Sequence, residues 1–507
     1  MRYFSILLLA ILFSFTSCRK DFDTVPSSGK LEFSKTEVYL DTVFSTIGSS
    51  TYGLKVYNRS NNDIKIPIIQ LEKGFSSKYR IIVDGIAGNN KIFNNVELLA
   101  NDSLYVFVAT TVNIADTEND FTYNDKILFD VGTNQQSVKL TTLVDDANFI
   151  FPNRSLDKKT YEKIAVNGFS PDTRGHTLTA TELNWTSAKP YVIYGNCVVP
   201  SGSILNIGAG TRVHFHDGST LIVDSGATLN IQGNLNVLDA NGKIITRNEV
   251  TFEGDRLEPE YENVPGQWGA VFIFSNTNNI INHLTLKNAV VGLFMGRNIE
   301  TITPNLTIEN SQIYDCSSFG ILARASIING KNIIVNTAGQ SCFAGTLGGN
   351  YDFTHCTFNN NWPSTKQVAV LLNDFLETKE ETFVSTIYAK FKNCIIYGNN
   401  NVELFLEKRN TSTTSSFVTS FTNCLVKFND FNTSISGQAI FNEIRNQQNG
   451  NLKNLDPKFN NINRNFMNLQ IGSSAIGKGN FSFSNFNDIL NLPRTNPSDI
   501  GAYKFIP

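Results

Sequence analysis

Charge is scarce in this chain. Asp, Glu, Lys and Arg make up 17% of its 507 residues and the formal net charge is -3, where roughly 25% charged is usual. A balance so near neutrality excludes the basic stripe of a nucleic-acid binder, so no nucleic-acid partner is expected. Histidine is rarer still, five in all. His214 and His216 flank Phe215 on one strand face, but a third metal ligand is not evident beside them. No Ser-His-Asp set stands out either. None of the seven cysteines forms a CxxC pair, which argues against a structural zinc site. Beyond the N-terminus no apolar run is long enough to span a bilayer. Asn, Ser and Thr supply the polarity that charge does not, and they suit turns and strands better than helix surfaces. With 41% hydrophobic residues over 507 positions, the expectation is a globular, all-β chain of two or more domains.

The first residues read as an export signal. Arg2 precedes an apolar stretch from Ile6 to Phe15, too short to cross a membrane and of signal-peptide length. Phe15-Thr16-Ser17-Cys18 resembles a lipobox, and the resemblance implies removal of residues 1–17 and lipidation of Cys18. The following Arg19-Lys20-Asp21-Phe22-Asp23 resembles the surface-export signal of Bacteroidota lipoproteins. The expectation is therefore an outer-membrane lipoprotein of a Gram-negative-type cell. It would be held by its lipid, face outward, and carry a tether over residues 18–30.

Residues 31–146 show short alternating strands. Glu37–Leu40, Tyr52–Tyr57, Ile64–Ile68, Tyr79–Val83, Ser103–Val108, Lys126–Phe129 and Val138–Leu140 are separated by polar clusters such as Asn58-Arg59-Ser60-Asn61-Asn62-Asp63. About seven such strands in a domain of this length is the pattern of an immunoglobulin-like β-sandwich. The runs Leu54–Ser60 and Leu99–Leu104 resemble the Ig-like spacers of bacterial surface proteins.

Residues 148–503 carry an internal repeat. Asn288, Asn310, Asn332, His355, Asn393 and Asn423 each follow a short alternating strand, such as Leu306-Thr307-Ile308-Glu309. The first steps are 22 or 23 residues, and the later ones are longer, which implies insertions. That period fits one coil of a parallel β-helix, whose coils stack about 4.8 Å apart. Asn at a stacked position tolerates the left-handed conformation and can bond to the Asn above, so Asn288, Asn310, Asn332, Asn393 and Asn423 form the expected ladder. The residue after each site (Ala289, Ser311, Ile333, Cys356, Cys394, Cys424) is mostly small or apolar and is expected to face the core. Cys197, Cys316, Cys342, Cys356, Cys394 and Cys424 read as core packing, with disulfides the alternative. Before the repeat, Val198–Thr211 and Gly218–Ile231 alternate apolar strands with Gly turns and read as the first coils.

Gly226-Ala227-Thr228-Leu229-Asn230-Ile231, Pro265-Gly266-Gln267-Trp268-Gly269, Leu455-Asp456-Pro457-Lys458-Phe459, Gly472–Gly479 and Asp499-Ile500-Gly501-Ala502-Tyr503 look like segments of the right-handed parallel β-helix repeat proteins of Bacteroidota. The match covers residues 185–503 and implies a fold similar to that of pectate lyases. Gly477 stands where that family often carries Asp, which puts any role of that Asp in doubt.

A β-helix groove suits an extended polysaccharide, but rung-aligned acids look few. Asp315, Asn336, Asn360, Asn399 and Asn429 follow the repeated sites, a column mostly of amides. No cofactor is implied, and a Ca²⁺ site would need a carboxylate cluster that is not evident. Two segments break the period. Glu253–Trp268 offers Arg256, Tyr261 and Trp268 as candidate sugar-binding residues, against the alternative that Trp268 starts the next coil and packs inward. Trp362–Ser385, with Asp374, Glu377, Lys379, Glu380 and Glu381, could be a lid or catalytic loop, or a solvated loop or short helix. The leading expectation is a non-catalytic surface protein whose β-helix binds a glycan or a surface protein. The alternatives are a polysaccharide lyase or glycoside hydrolase, and an adhesive or structural stalk. Three or more carboxylates converging with an Arg or Lys in the groove would favour an enzyme.

Overall fold

A computed structural model describes residues 23–507 apart from 88–90, 118–120, 158, 240–242, 297–303, 410–415 and 432. The expected signal segment and Cys18 lie outside the described residues. The chain divides into two compact units at Asp146/Ala147.

The N-terminal unit is a two-sheet β-sandwich. One sheet runs Val25–Pro26, Ile64–Leu71, Thr122–Phe129, Gln136–Asp145, Glu37–Phe44, with Ile92–Leu98 also on Ile64–Leu71. The other runs Glu32–Phe33, Tyr52–Tyr57, Ser103–Thr110, Tyr79–Val83, Ile86–Ala87. All seven strands expected from the alternation are present. Period two puts Leu104, Val106 and Val108 inside and Tyr105 and Phe107 outside. Each such buried side chain contributes about 1.5–3 kcal/mol. The strand Ile92–Leu98 was not legible because Asn95 sits at φ 55° and breaks the alternation. Asn58 closes the adjoining turn: its buried Nδ2 donates to the carbonyls of Asn62 (2.8 Å) and Leu99 (2.9 Å).

The second unit is a parallel β-helix. Its first face is an 11-stranded parallel sheet from Asn148–Ile150 to Leu452–Lys453. Its other two faces belong to one 16-stranded sheet, because Phe319–Lys331 and Ser341–Thr354 run through the corner between those faces without a break. Val250, Phe252, Leu284, Leu286 and Ile313 point from the first face into a continuous core. There the Trp268 and Phe215 rings stack at 4.0 Å and those of Phe391 and Phe421 at 5.0 Å. All six described cysteines are free thiols in the buried interior. Cys356, Cys394 and Cys424 lie in register on successive coils.

The corner entering the first face carries the left-handed column. Asn310, Asn332, His355, Asn393 and Asn423 have φ between 49° and 55°. The N–H of each donates to the carbonyl preceding the next corner residue or, at Asn423, to Asn449. Side-chain bonds are intermittent: Asn332 Nδ2 donates to Asn310 Oδ1 at 2.8 Å, and Asn393 Nδ2 contacts His355 Nε2 at 3.0 Å. Asn288 does not belong to this ladder. Thr285 pairs with Gln312 and Lys287 with Tyr314, so the residue stacked on Asn310 is His283 (φ 50°). Asn288 occupies the opposite corner with Asp315 and Thr337, at φ 66°, 55° and 57°. Two corners of the same coil both need left-handed residues, so spacing alone aligned the wrong pair.

The coils end at Leu452–Lys453, short of the 503 expected. The chain then turns back as a strap across the outer side of the first face. Met467, Ile489 and Ala502 pack on outward-facing Ile334. Leu469, Ala475 and Ile500 pack on outward-facing Ile395 and Leu425. Polar bolts fix its course. Arg494 Nη2 donates to Asn332 Oδ1 (2.7 Å), Asn393 Oδ1 accepts from the N–H of Asn480 (2.8 Å), and His355 Nε2 meets Ser484 Oγ (2.8 Å). The C-terminal motifs that resemble the β-helix repeat family are this strap, and Asp499 organises it by accepting from the N–H groups of Gly477 and Phe505.

Candidate functional site

Outward-facing residues of the first face form columns one strand spacing apart. One column is His214, Glu253, Lys287, Tyr314, Asn336, Asn359 and Tyr397. Phe252 and Leu286 face the core, so Glu253 and Lys287 must face out. Lys287 Nζ lies 3.0 Å from Glu253 Oε2, and His214 Nδ1 lies 3.7 Å from Glu253 Oε1. These side chains are sunk rather than free, with Lys287 13% and Glu253 22% exposed. Burial alone would raise the Glu253 carboxyl, but His214, Lys287 and Arg247 outweigh it and hold Glu253 below its ordinary value.

Asp315 stands on the other side of Lys287, turned out at its left-handed corner. Burial pushes its carboxyl up to about 6, although Asn465, which donates to Oδ2 at 3.3 Å, and Lys287 both favour the ionised form. Asn465 is itself held by an amide chain. Asn359 Nδ2 donates to Asn336 Oδ1 at 2.8 Å, and Asn336 Nδ2 donates to Asn465 Oδ1. Beside the charged column, Thr285 Oγ1 donates to Glu249 Oε2 at 2.9 Å, and Arg247 lies 3.7 Å from Glu249. Three carboxylates therefore gather around a lysine and an arginine.

Two connected cavities of about 280 and 470 Å³ adjoin this patch. Glu249, Thr285 and Gln312 line the smaller; Glu309, Lys331 and Phe486 line the larger; His283, Asn310, Asn234 and Leu235 line both.

Arg256 and Tyr261 come together on the 255–267 loop, with the guanidinium 3.7 Å from the ring centroid and 3.2 Å from Glu258. Asn288 clips this loop through the carbonyls of Glu262 and Val264, both at 3.0 Å. Trp268 is not a surface ligand residue. It is fully buried, stacks on Phe215, and donates its Nε1–H to the carbonyl of Lys287 at 2.9 Å. The 362–385 segment contains a two-stranded ribbon, Phe375–Glu377 with Thr382–Val384, rather than a helix. Asp374 is buried there and accepts from the N–H of Arg409 at 2.8 Å. His216 pairs with Asp255 at 2.8 Å, and the described residues contain no cluster fit to hold a metal ion.

Sequence spacing missed Glu249 and Glu253 because the irregular 233–267 coil lies outside the 22-residue period, and Lys287, inside a repeat, meets Glu253 only through coil register. The strand Val250-Thr251-Phe252-Glu253 carries the usable signal, an acid on the outward parity of a core strand.

No protein-family model matches the chain, and no curated protein matches it. Among solved structures, it is similar over 73% of its length to the catalytic unit of a GH87 α-1,3-glucanase from Streptomyces thermodiastaticus, with 10% identity, 73% of that chain covered and a TM-score of 0.30. The E. coli chaperone DraB matches 24% of this chain and 58% of its own, at 15% identity and TM-score 0.17. A family 123 glycoside hydrolase from Clostridium perfringens matches 24% of this chain and 30% of its own, at 8% identity and TM-score 0.16.

Proposed function

We propose that the outer side of the first face, over the coils carrying Glu253, Lys287 and Asp315, is a polysaccharide site that hydrolyses glycosidic bonds. The supporting observation is the divergent pair of carboxyls around Lys287: Glu253 held ionised, Asp315 raised to about 6. A protonated and an ionised carboxyl in one site is the acid/base division that glycoside hydrolysis needs. Their strands lie two spacings apart, roughly 9.5 Å. Asp315 gives its proton to the leaving glycosidic oxygen. Glu253 takes a proton from the attacking water, whose oxygen bonds to the anomeric carbon. Lys287 keeps Glu253 charged. Lipidation at Cys18 and display on the outer membrane belong to the same proposal and would bring the site to extracellular glycans.

A second reading is capture without cleavage, favoured by the close Glu253–Lys287 ion pair, which occupies the base. Incubation of the protein with acidic and neutral polysaccharides, followed by new reducing ends, decides between them. Hydrolysis is expected, falling roughly 100-fold or more in Glu253→Gln and in Asp315→Asn. Retention on a polysaccharide gel without new reducing ends would leave capture; unsaturated products would replace hydrolysis by elimination. Neither binding nor cleavage would leave a stalk.

A further inference from the structure

The strap sets where along a glycan the site can work. On the first face, the coils starting at Ile334, Thr357, Ile395 and Leu425 have their outer side covered by residues 459–503. Asp315 is already in contact with the strap through Asn465. No uncovered coil of this face therefore lies beyond the carboxyl pair on the C-terminal side. Alongside the pair, on the same coils, lies the smaller cavity, about 280 Å³, with Glu249, Thr285 and Gln312 as floor and the strap residues Ile489, Leu490 and Tyr503 as wall. That volume falls just below the range for small-ligand sites, roughly 300–1,000 Å³. It continues around the corner into a space edged by Asn310, Asn332, Asn487, Asn491 and the Phe486 ring. Amides that both donate and accept, with one aromatic face, suit the hydroxyls and ring of a sugar. The Lys331 ammonium is engaged by Glu309 at 3.1 Å and by Phe486 at 5.3 Å from its ring centroid, and Glu249 and Asp488 leave the lining acidic on balance.

We infer that this cleft is a blocked-end pocket for the terminal sugar unit of a glycan, so that the site works from a chain end and not at internal bonds. The inference rests on the proposed hydrolytic reading, but its pocket can be tested apart from it. Outward-facing Gln312 lies on the cavity floor without belonging to the core, so Gln312→Trp fills the pocket and spares the fold.

The experiment uses the full chain and two kinds of probe. Glucose, galactose, mannose and galacturonic acid are followed by ligand-observed NMR, and reducing-end-labelled hexasaccharides of the same sugars by product length. At least one monosaccharide is expected to bind, with affinity weakened roughly tenfold or more in Gln312→Trp at an unchanged melting temperature. Hexasaccharide is expected to shorten by one unit at a time. Monosaccharide binding without cleavage would sink the hydrolytic reading and leave the terminal pocket standing. Cleavage into mid-length products would sink the terminal pocket and leave the carboxyl pair. Hexasaccharide binding with no monosaccharide binding would also overturn the pocket, and silence from both probes would overturn both.

Discussion

The two halves of the first face share one inward pattern and differ in what they turn outward. Phe252, Leu286, Ile313, Val335, Phe358 and Ile396 all enter the same core. On the outer side, the earlier strands present Glu253, Thr285 and Lys287, whereas the later ones present Ile334, Thr357, Ile395 and Leu425. The later set is buried because the strap lies on it. A strand apolar on both parities is a strand with cover on both sides, and a strand that keeps charge on its outer parity is one left for solvent or ligand. The proposed site thus lies where double-sided apolar strands stop.

That contrast can be broken most forcefully at the strap. Ile395→Ala should cost roughly 2–5 kcal/mol, as for a large-to-small change in any core, although Ile395 points away from the helix interior. Gln312→Ala, at a similar parity but facing the open cavity, should stay within about 0.5 kcal/mol. Equal effects in denaturant titrations would mean that the strap is not part of the cooperative core.

The boundary between the halves is sharpened by pH. The Asp315 carboxyl titrates near 6 in the fold and near 3.8 unfolded. The folded form therefore holds its proton longer, and the stability this gives is complete below about pH 4 and lost as pH rises through 6. At 1.36 kcal/mol per unit, the loss is at most about 3 kcal/mol. Asp315→Asn should flatten that limb of the melting-temperature profile. An unaltered limb would remove Asp315 as the raised acid.

The smallest effect is expected at the corner that serves both halves. Asn310→Ala keeps a Cβ at φ 49° but removes the amide that bonds to Asn282 and Asn332, costing roughly 1–2 kcal/mol, and Asn310→Gly should cost less. If Ala and Gly melt alike, the left-handed geometry is not what selects Asn there.

Much of the fold was legible because its signals are local. Strand alternation located the sandwich, and the 22-residue recurrence located the regular coils. The repeat failed at Asn288 because a coil has two corners with the same backbone demand, and only strand pairing tells them apart. The strap was read as more coils because it, too, is written in short apolar stretches and Gly turns. Its difference lies in partners far away in sequence, such as Asn465 with Asp315. The site was hardest to see. Arg256, Tyr261 and Trp268 were singled out by residue type, but the indole was claimed by Phe215. Glu253 and Lys287 belong together only through coil register. Asp315 stood out as the one acid of a supposed amide column, but that column is misaligned by one residue: Asp315 stacks between Asn288 and Thr337, and Asn336 stacks on Tyr314 and Asn359. Its raised carboxyl depends on burial.

The interior cysteines give this solenoid a built-in clock. Cys197, Cys316, Cys342, Cys356, Cys394 and Cys424 are spread along the helix axis with no exposed surface. Burial pushes the thiols of Cys197, Cys316 and Cys342 well above their ordinary range, so none reacts as a thiolate until its coil opens. Alkylation followed coil by coil would then time the opening of each stretch in the native chain. The order of labelling would say whether the helix unzips from its uncovered coils, with the strapped ones last, or comes apart all at once.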